Sequence, residues 1–178
     1  MNSRVAGAAL SRLLTLDASL CVRFHGLASP SVVSFLRLVS RLGDGPLWLA
    51  CVALAVATLG PDGAVQSLEL ILVGLVTFCV YKALKGLTAR PRPFVANPAI
   101  ACRVAPLDQY AFPSGHTMHA VAFTLALADL FPLSALVLAP LAVLIATSRV
   151  VLGLHYPSDV LVGALLGGLI AWAVGGLA

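Results

Sequence analysis

From residue 46 to the end of the chain, apolar side chains follow one another in long runs broken only by an occasional glycine, proline or charge. Before residue 46 the pattern differs. There Arg4, Arg12, Asp17, Arg23, Arg37 and Arg41 interrupt every window, and none approaches the ~20 apolar residues a helix needs to cross a bilayer. Leu10, Leu13, Leu14 and Leu20, with arginines between them, predict a helix lying along a membrane surface. A second such piece is expected from Ser31, as N-cap after Pro30, to Leu42. The first span is predicted over 46–59, short and stopped by Gly60-Pro61-Asp62-Gly63. A second covers 64–84, with Gln66 and Glu69 near its start, and a third runs over 115–131. Pro132 and Ser134 lead into a fourth ending near Val151, and Pro157 opens a fifth that continues to the C-terminus.

The expected architecture is therefore all-α, a polytopic transmembrane helical bundle of five spans, or six if the N-terminal segment crosses. It forms one domain over 1–178, with 1–45 as an amphipathic interfacial segment and 46–178 as the transmembrane core. Gly163, Ala164, Gly167 and Gly168 supply small residues for close helix packing, and Trp48 and Trp172 fall near span ends, where indole rings prefer to sit.

Composition agrees with lipid as part of the solvent. Hydrophobic residues make up 60% of the chain and charged residues 10%, at a mean hydropathy of +1.02. A soluble domain is nearer half apolar and a quarter charged, so too few polar residues are present to cover a globule in water. Cys21, Cys51, Cys79 and Cys102 are scattered without zinc or redox spacing and read as buried thiols. No apolar run followed by a cleavage site opens the chain, so a signal peptide is not expected. The localisation expected is that of an integral protein of a bacterial inner (cytoplasmic) membrane, with no nucleic-acid partner.

Alternating the five spans puts all eleven Lys and Arg residues on one face, together with the 82–114 loop and the 155–159 turn. The positive-inside rule assigns that face to the cytoplasm, provided residues 1–45 do not cross.

Three polar clusters converge on the same face. The first is Lys85-Gly-Leu-Thr-Ala-Arg90-Pro91-Arg92-Pro93, at the exit of the second span. Pro113-Ser114-Gly115-His116 stands at the entrance to the third, and Ser148-Arg149, His155 and Asp159 bridge the fourth and fifth. Together they make a phosphate site. Lys85, Arg92 and Arg149 offer positive charge to phosphoryl oxygens, and the helix start after Pro113 offers free N–H groups and the positive end of a dipole. Asp159, within one turn of His155, can accept from one ring nitrogen and leave the other free to attack phosphorus. His116 is placed to protonate a departing oxygen.

Each part also has a plainer reading. Lys85, Arg90 and Arg92 could be interfacial anchors, Pro-Ser-Gly-His an ordinary helix cap, and Asp159 a first-turn carboxylate complementing the dipole. His116 and His119 lie three apart, but no third ligand stands at helical spacing, so no metal and no cofactor is expected. His25 reads as a surface residue, Asp44 and Asp108 as turn residues, and Glu69 and Asp129 as residues of the opposite face. Three separate clusters reaching one face is what favours the phosphate site over the sum of the plainer readings.

In these residues the chain resembles the type 2 phosphatidic acid phosphatase superfamily, which includes the vanadium haloperoxidases. The family's first motif, Lys, six residues, then Arg-Pro, is met by Lys85, Arg92 and Pro93. Its second, Pro-Ser-Gly-His, is met by 113–116; its third, Ser-Arg, five residues, His, three residues, Asp, by Ser148, Arg149, His155 and Asp159. The resemblance covers about residues 30–178 and implies a metal-independent lipid phosphate phosphatase. It further implies that Lys85, Arg92, Ser114, Gly115 and Arg149 bind phosphate, that His155 becomes a phosphohistidine oriented by Asp159, and that His116 acts as acid and then base. Membrane members usually have six spans and a site facing away from the cytoplasm, and this chain departs from them at its N-terminus. A lipid phosphotransferase using the same intermediate, or a lipid-binding or transport protein with a relic site, are the alternatives. The 94–112 loop, with Asp108, Gln109 and Tyr110, is where head-group selection is expected.

Overall fold

The computed structural model describes residues 2–176, with side chains from Ser11 to Gly176. The Arg4 and Leu10 side chains lie outside the described residues. Among the described residues every regular element is helical. Helices α1 (Asn2–Leu27), α2 (Pro30–Leu42) and α3 (Gly45–Leu59) lead through a 3-10 turn to α4 (Ala64–Thr88) and the short α5 (Pro93–Ala96). Then come α6 (Gly115–Leu130), α7 (Ala135–Val151) and α8 (Pro157–Gly175).

The chain segments follow the predicted punctuation closely, with one shift. Pro30 is the first helical residue of α2, and Ser29, not Ser31, caps it by accepting from the Val32 N–H at 3.4 Å. Proline fits that first position because its missing N–H would have no intrahelical partner there.

Three segments are long and apolar enough to cross a membrane: Pro61–Ala96, Pro132–Val151 and Pro157–Gly175. A fourth is reached if α2 and α3, bent by 48° at Gly43-Asp44, count as one broken span. The predicted third span corresponds to α6, whose 16 residues rise only about 24 Å at 1.5 Å per residue. Helix α6 is nonetheless the centre of the bundle, packed by α4, α7 and α8. Eight of its residues are buried, including Met118, Ala122, Phe123 and Leu127, so it meets protein where its neighbours meet lipid.

Small residues set the closest approach. Gly163 and Gly167 on α8 face the backbone of α6: a Cβ on Gly163 would stand 2.8 Å from the Ser114 carbonyl oxygen, and one on Gly167 2.5 Å from that of Met118. Since Ser114 also belongs to the candidate site, Gly163→Val is expected to cost about 1–3 kcal/mol through overpacking and to lower activity by shifting the start of α6. Thermal unfolding in detergent and phosphate-release assays check this; a variant equal to the parent in both would refute the packing account.

Several residues sit elsewhere than their sequence context predicts. Trp48 is not an interfacial anchor: it is 2% exposed, stacks on Phe123 at 5.5 Å and donates its indole N–H to Gly43 O. Trp172, by contrast, is exposed on the outside of the bundle. Of the four cysteines only Cys21 is fully buried, while Cys79 and Cys102 are exposed. His25 is buried, with Nδ1 against Val151 O at 3.1 Å and Nε2 accepting from the Ala101 N–H at 3.1 Å. The partners of α1 given by Asp17, Cys21 and His25 all belong to one end of the bundle: Arg90, Ala101, Val151, His155 and Ser158.

Candidate active site

That end holds a cavity of about 230 Å³ lined by residues of α3, α4, α6 and α7 and of the segments that join the helices. Lys85, Arg92, Gly115, His116, Arg149 and His155 line it, with Asp44, Asp108, Tyr81 and His119. Ser114 and Asp159, also named by the motifs, are fully buried behind the wall.

Each side chain arrives by a local device. Lys85 is in the last turn of α4, which ends at Ala89 in the left-handed conformation (φ 44°), so that the chain turns sharply into Arg90-Pro91-Arg92. Arg149 is in the last turn of α7, and Gly153, at φ +79°, makes the turn that carries the chain on to His155. A side chain at Gly153 would meet Ala101 O at 2.7 Å, so both its φ and its surroundings require glycine. Pro157 then opens α8, with Tyr156 and Asp159 forming a reciprocal cap.

His155 is 1% exposed. Its Nε2 lies 3.3 Å from Arg92 Nη1, and its Nδ1 faces Asp159 Oδ2 at 3.7 Å. A guanidinium can only donate, so Nε2 is the acceptor and carries the lone pair. Burial lowers the basicity of the ring well below its ordinary value, and the positive charges of Arg149, Arg92 and Lys85 push it further in the same direction. His155 is thus a neutral imidazole whose unprotonated nitrogen points among cations. Two atoms of this group, His155 Nδ1 and Arg149 Nε, are buried without a hydrogen-bond partner. Unpaired buried polar atoms are costly, and these two stand where an anion's oxygens and a reoriented carboxylate would meet them.

The cations are held by carboxylates and carbonyls. Asp108 Oδ1 accepts from Lys85 Nζ at 2.6 Å and from Arg92 Nη2 at 2.7 Å, while Tyr110 O accepts from Lys85 and Leu154 O from Arg92. Burial alone would raise the Asp108 carboxyl, but the two cations together hold it below the usual carboxylate range. Asp108 thus sits in a bend, as its sequence context predicts, and also holds Lys85 and Arg92 together. Arg149 donates to Ser40 on α2 through a short hydrogen bond. The Ser114 N–H is not free for an anion, because it donates to the Asp159 backbone carbonyl at 3.0 Å and so ties α6 to α8. Its hydroxyl accepts from Thr117 Oγ1 at 2.9 Å.

Three further ion pairs lie beyond what motif spacing marks. Arg90 bridges Asp159 Oδ1 at 2.5 Å and Asp17 Oδ2 at 2.6 Å, with its guanidinium 4.1 Å from the Tyr156 ring centre. Asp17, from α1, also accepts from the Ser158 N–H at 2.9 Å, and so caps α8 from outside. Arg90 is thus a tie between α1 and the 155–159 turn, not an interfacial anchor. His116 Nε2 meets Asp44 Oδ1 at 2.7 Å, so Asp44, in the bend between α2 and α3, also reaches the cavity. Asp44 stands between two glycines just before an apolar run, Asp108 in the 94–112 loop and Arg90 in the first polar cluster, whereas nothing in the spacing marks Asp17.

The chain is similar to known proteins in sequence and in fold. The profile of the PAP2 superfamily matches residues 66–175. The chain is 34% identical over 152 residues to decaprenylphosphoryl-5-phosphoribose phosphatase of Mycobacterium tuberculosis, covering 83% of this chain and 82% of that protein. It is 31% identical over 152 residues to lipid A 1-phosphatase of Rhizobium etli, covering 74% of this chain and 65% of that protein. Among solved structures, the transmembrane PAP2 type phosphatidylglycerolphosphate phosphatase from Bacillus subtilis superposes with a TM-score of 0.77 at 25% identity, over 93% of this chain and 86% of that one.

Proposed function

The chain belongs to the PAP2 superfamily and is an integral membrane lipid phosphatase, and we propose that it hydrolyses a terminal phosphate monoester of a polyprenyl-linked sugar through a phosphohistidine on His155. The observation that carries the chemistry is the convergence of Lys85 (α4), Arg92 (the 89–92 turn), His116 (α6), Arg149 (α7) and His155 (the 152–156 turn) on one small cavity. His155 Nε2 attacks phosphorus as the P–O bond to the lipid breaks, and His116 gives its proton to the leaving oxygen. Lys85, Arg92 and Arg149, with the start of α6 at Gly115, balance the charge on the equatorial oxygens. Water then loses a proton to His116 and attacks the phosphohistidine, breaking the P–N bond and releasing phosphate. Ser114 and Asp159 act from behind the wall, the first by fixing the α6 start and the second by orienting His155.

The substrate reading rests on the likeness to the Mycobacterium tuberculosis enzyme, whose name specifies decaprenylphosphoryl-5-phosphoribose. A panel of that lipid, phosphatidylglycerophosphate, phosphatidic acid and undecaprenyl diphosphate, scored by free phosphate, tests it. The polyprenyl phosphoribose is expected to give the highest kcat/KM, with activity retained in excess EDTA and blocked by orthovanadate. A higher value for a glycerolipid overturns the substrate, and inactivation by EDTA reversed by magnesium or zinc overturns the cation-only mechanism.

In the membrane we propose five crossings, by α3, α4, α6, α7 and α8, with α1 and α2 lying along the face that holds the site. The eleven Lys and Arg residues of this chain favour the cytoplasmic side of a bacterial inner membrane for that face. A cysteine at exposed Ala99, in a background without the four native ones, is then expected to resist a membrane-impermeant maleimide until cells are permeabilised. Labelling in intact cells would place the site outside.

A further inference from the structure

We propose that Asp44 is a positioning residue for the reaction: its carboxylate fixes the tautomer and orientation of His116, so that His116 Nδ1 is the nitrogen that gives and takes the proton. The inference rests on the phosphohistidine reading above and adds a second Asp–His pair to the site.

The geometry points to this role. Asp44 Oδ1 lies 2.7 Å from His116 Nε2, a bond as short as charge-assisted hydrogen bonds become. An ionised carboxylate only accepts, so Nε2 must carry a hydrogen. Nδ1 is then the ring position through which protonation changes. The carboxyl is in the state this requires, for the hydrogen bond from His116 outweighs burial and holds Asp44 below the usual carboxylate range. Arg149 and Arg41 add to that effect, and His119 is the further ionisable group beside His116.

The backbone is built to deliver the carboxylate. Asp44 occupies the break where α2 and α3 bend by 48°, between Gly43 and Gly45. Gly43 is buried so tightly that a Cβ there would stand 2.9 Å from Ile145 Cγ2 and 3.2 Å from His116 Cδ2. Trp48 donates to the Gly43 carbonyl and pins the same break to the core. The bend thus brings a residue 72 positions away in sequence into contact with the imidazole.

The chemistry separates this role from a structural one. In the first half-reaction His116 must supply a proton to a poorly leaving alkoxide; in the second it must take one from water. With an aryl phosphate whose leaving group departs unprotonated, the first half needs no acid, and only the second needs His116. In Asp44→Asn the amide can offer its NH2 to Nε2, which leaves Nδ1 with the hydrogen and unable to act as base, the fault that costs about 10⁴-fold in a serine-protease triad.

The test uses the full-length protein in detergent micelles and follows leaving-group release before and after the first turnover. For Asp44→Asn with 4-nitrophenyl phosphate, the nitrophenol burst is expected to keep the rate of the parent, while the steady state falls by about 10²–10⁴-fold, the range of general acid–base catalysis. With a lipid phosphate both phases should fall, and Asp44→Glu should restore at least part of the loss. Equal loss in burst and steady state with the aryl ester, or a steady state unchanged from the parent, would overturn the role of Asp44. If the parent itself shows no burst and no phosphoprotein, the phosphohistidine reading fails instead.

Discussion

His155→Ala is expected to release no measurable phosphate from any lipid in the panel, a loss on the order of 10⁶-fold if its removal acts as loss of the nucleophile does in a serine protease. The ring is buried, its Nε2 accepts from Arg92, and it is neutral because burial and three nearby cations oppose its protonation. Of the other motif residues, His116 is committed to Asp44, and Ser114 lies behind the wall. Asp159→Asn should be milder, at about 10⁴-fold, because it removes orientation and charge support and leaves the attacking nitrogen in place. The same burial makes a second, independent readout. A histidine whose folded pKa lies below its ordinary 6.5 contributes stability above that value, which is lost as pH falls toward the lowered one. His155→Ala should therefore lose less stability than the parent as pH falls below about 6.5. Activity above a small percentage of the parent would exclude His155 as nucleophile.

Arg90→Met should be the most destabilising single change at this end of the bundle. The guanidinium stands between Asp17 and Asp159, whose side chains are 7% and 0% exposed. Methionine keeps apolar contact with the Tyr156 ring but leaves two buried carboxylates facing each other. Removing one member of a buried ion network costs about 3–5 kcal/mol, mostly as the penalty on the charges left behind. Adding Asp17→Asn to Arg90→Met should recover part of that loss, whereas Asp17→Asn alone should destabilise. Activity should fall with stability, since Asp159 loses the partner that fixes its Oδ1. Denaturation in mild detergent of the four proteins in this cycle gives the coupling directly. Strict additivity, or an Arg90→Met protein as stable as the parent, would show that the network carries no such load.

How the sequence and the structure relate differs by residue. Lys85, Arg92, Gly115, His116, Arg149 and His155 stand at helix ends on one face, so hydropathy and motif spacing suffice to bring them together. The same logic could not place Asp17, Arg90 or Asp108, because their partners lie 16 to 141 positions away and are chosen by how loops and α1 dock. Isolated charges near span ends look alike whether they anchor to lipid head groups or reach inward, which is why Arg90 reads as an anchor from sequence. Trp48 shows the same ambiguity for an aromatic residue. Span length misleads for α6: a helix enclosed by other helices need not match the bilayer, so its 16 residues fall short of a spanning helix even though it is the core. The Ser29 cap was obscured by Pro30 and Ser31, which offer an equally ordinary helix start one or two residues later.

The central claim, a covalent phosphohistidine on His155, is tested most directly by trapping it. The purified protein is mixed with ³²P-labelled lipid phosphate, quenched in alkaline detergent and separated from substrate. The account predicts label on the parent that survives base, is lost in acid and is absent from His155→Ala. Absence of protein-bound label while phosphate is still being released, or label that resists acid and persists in His155→Ala, would contradict it.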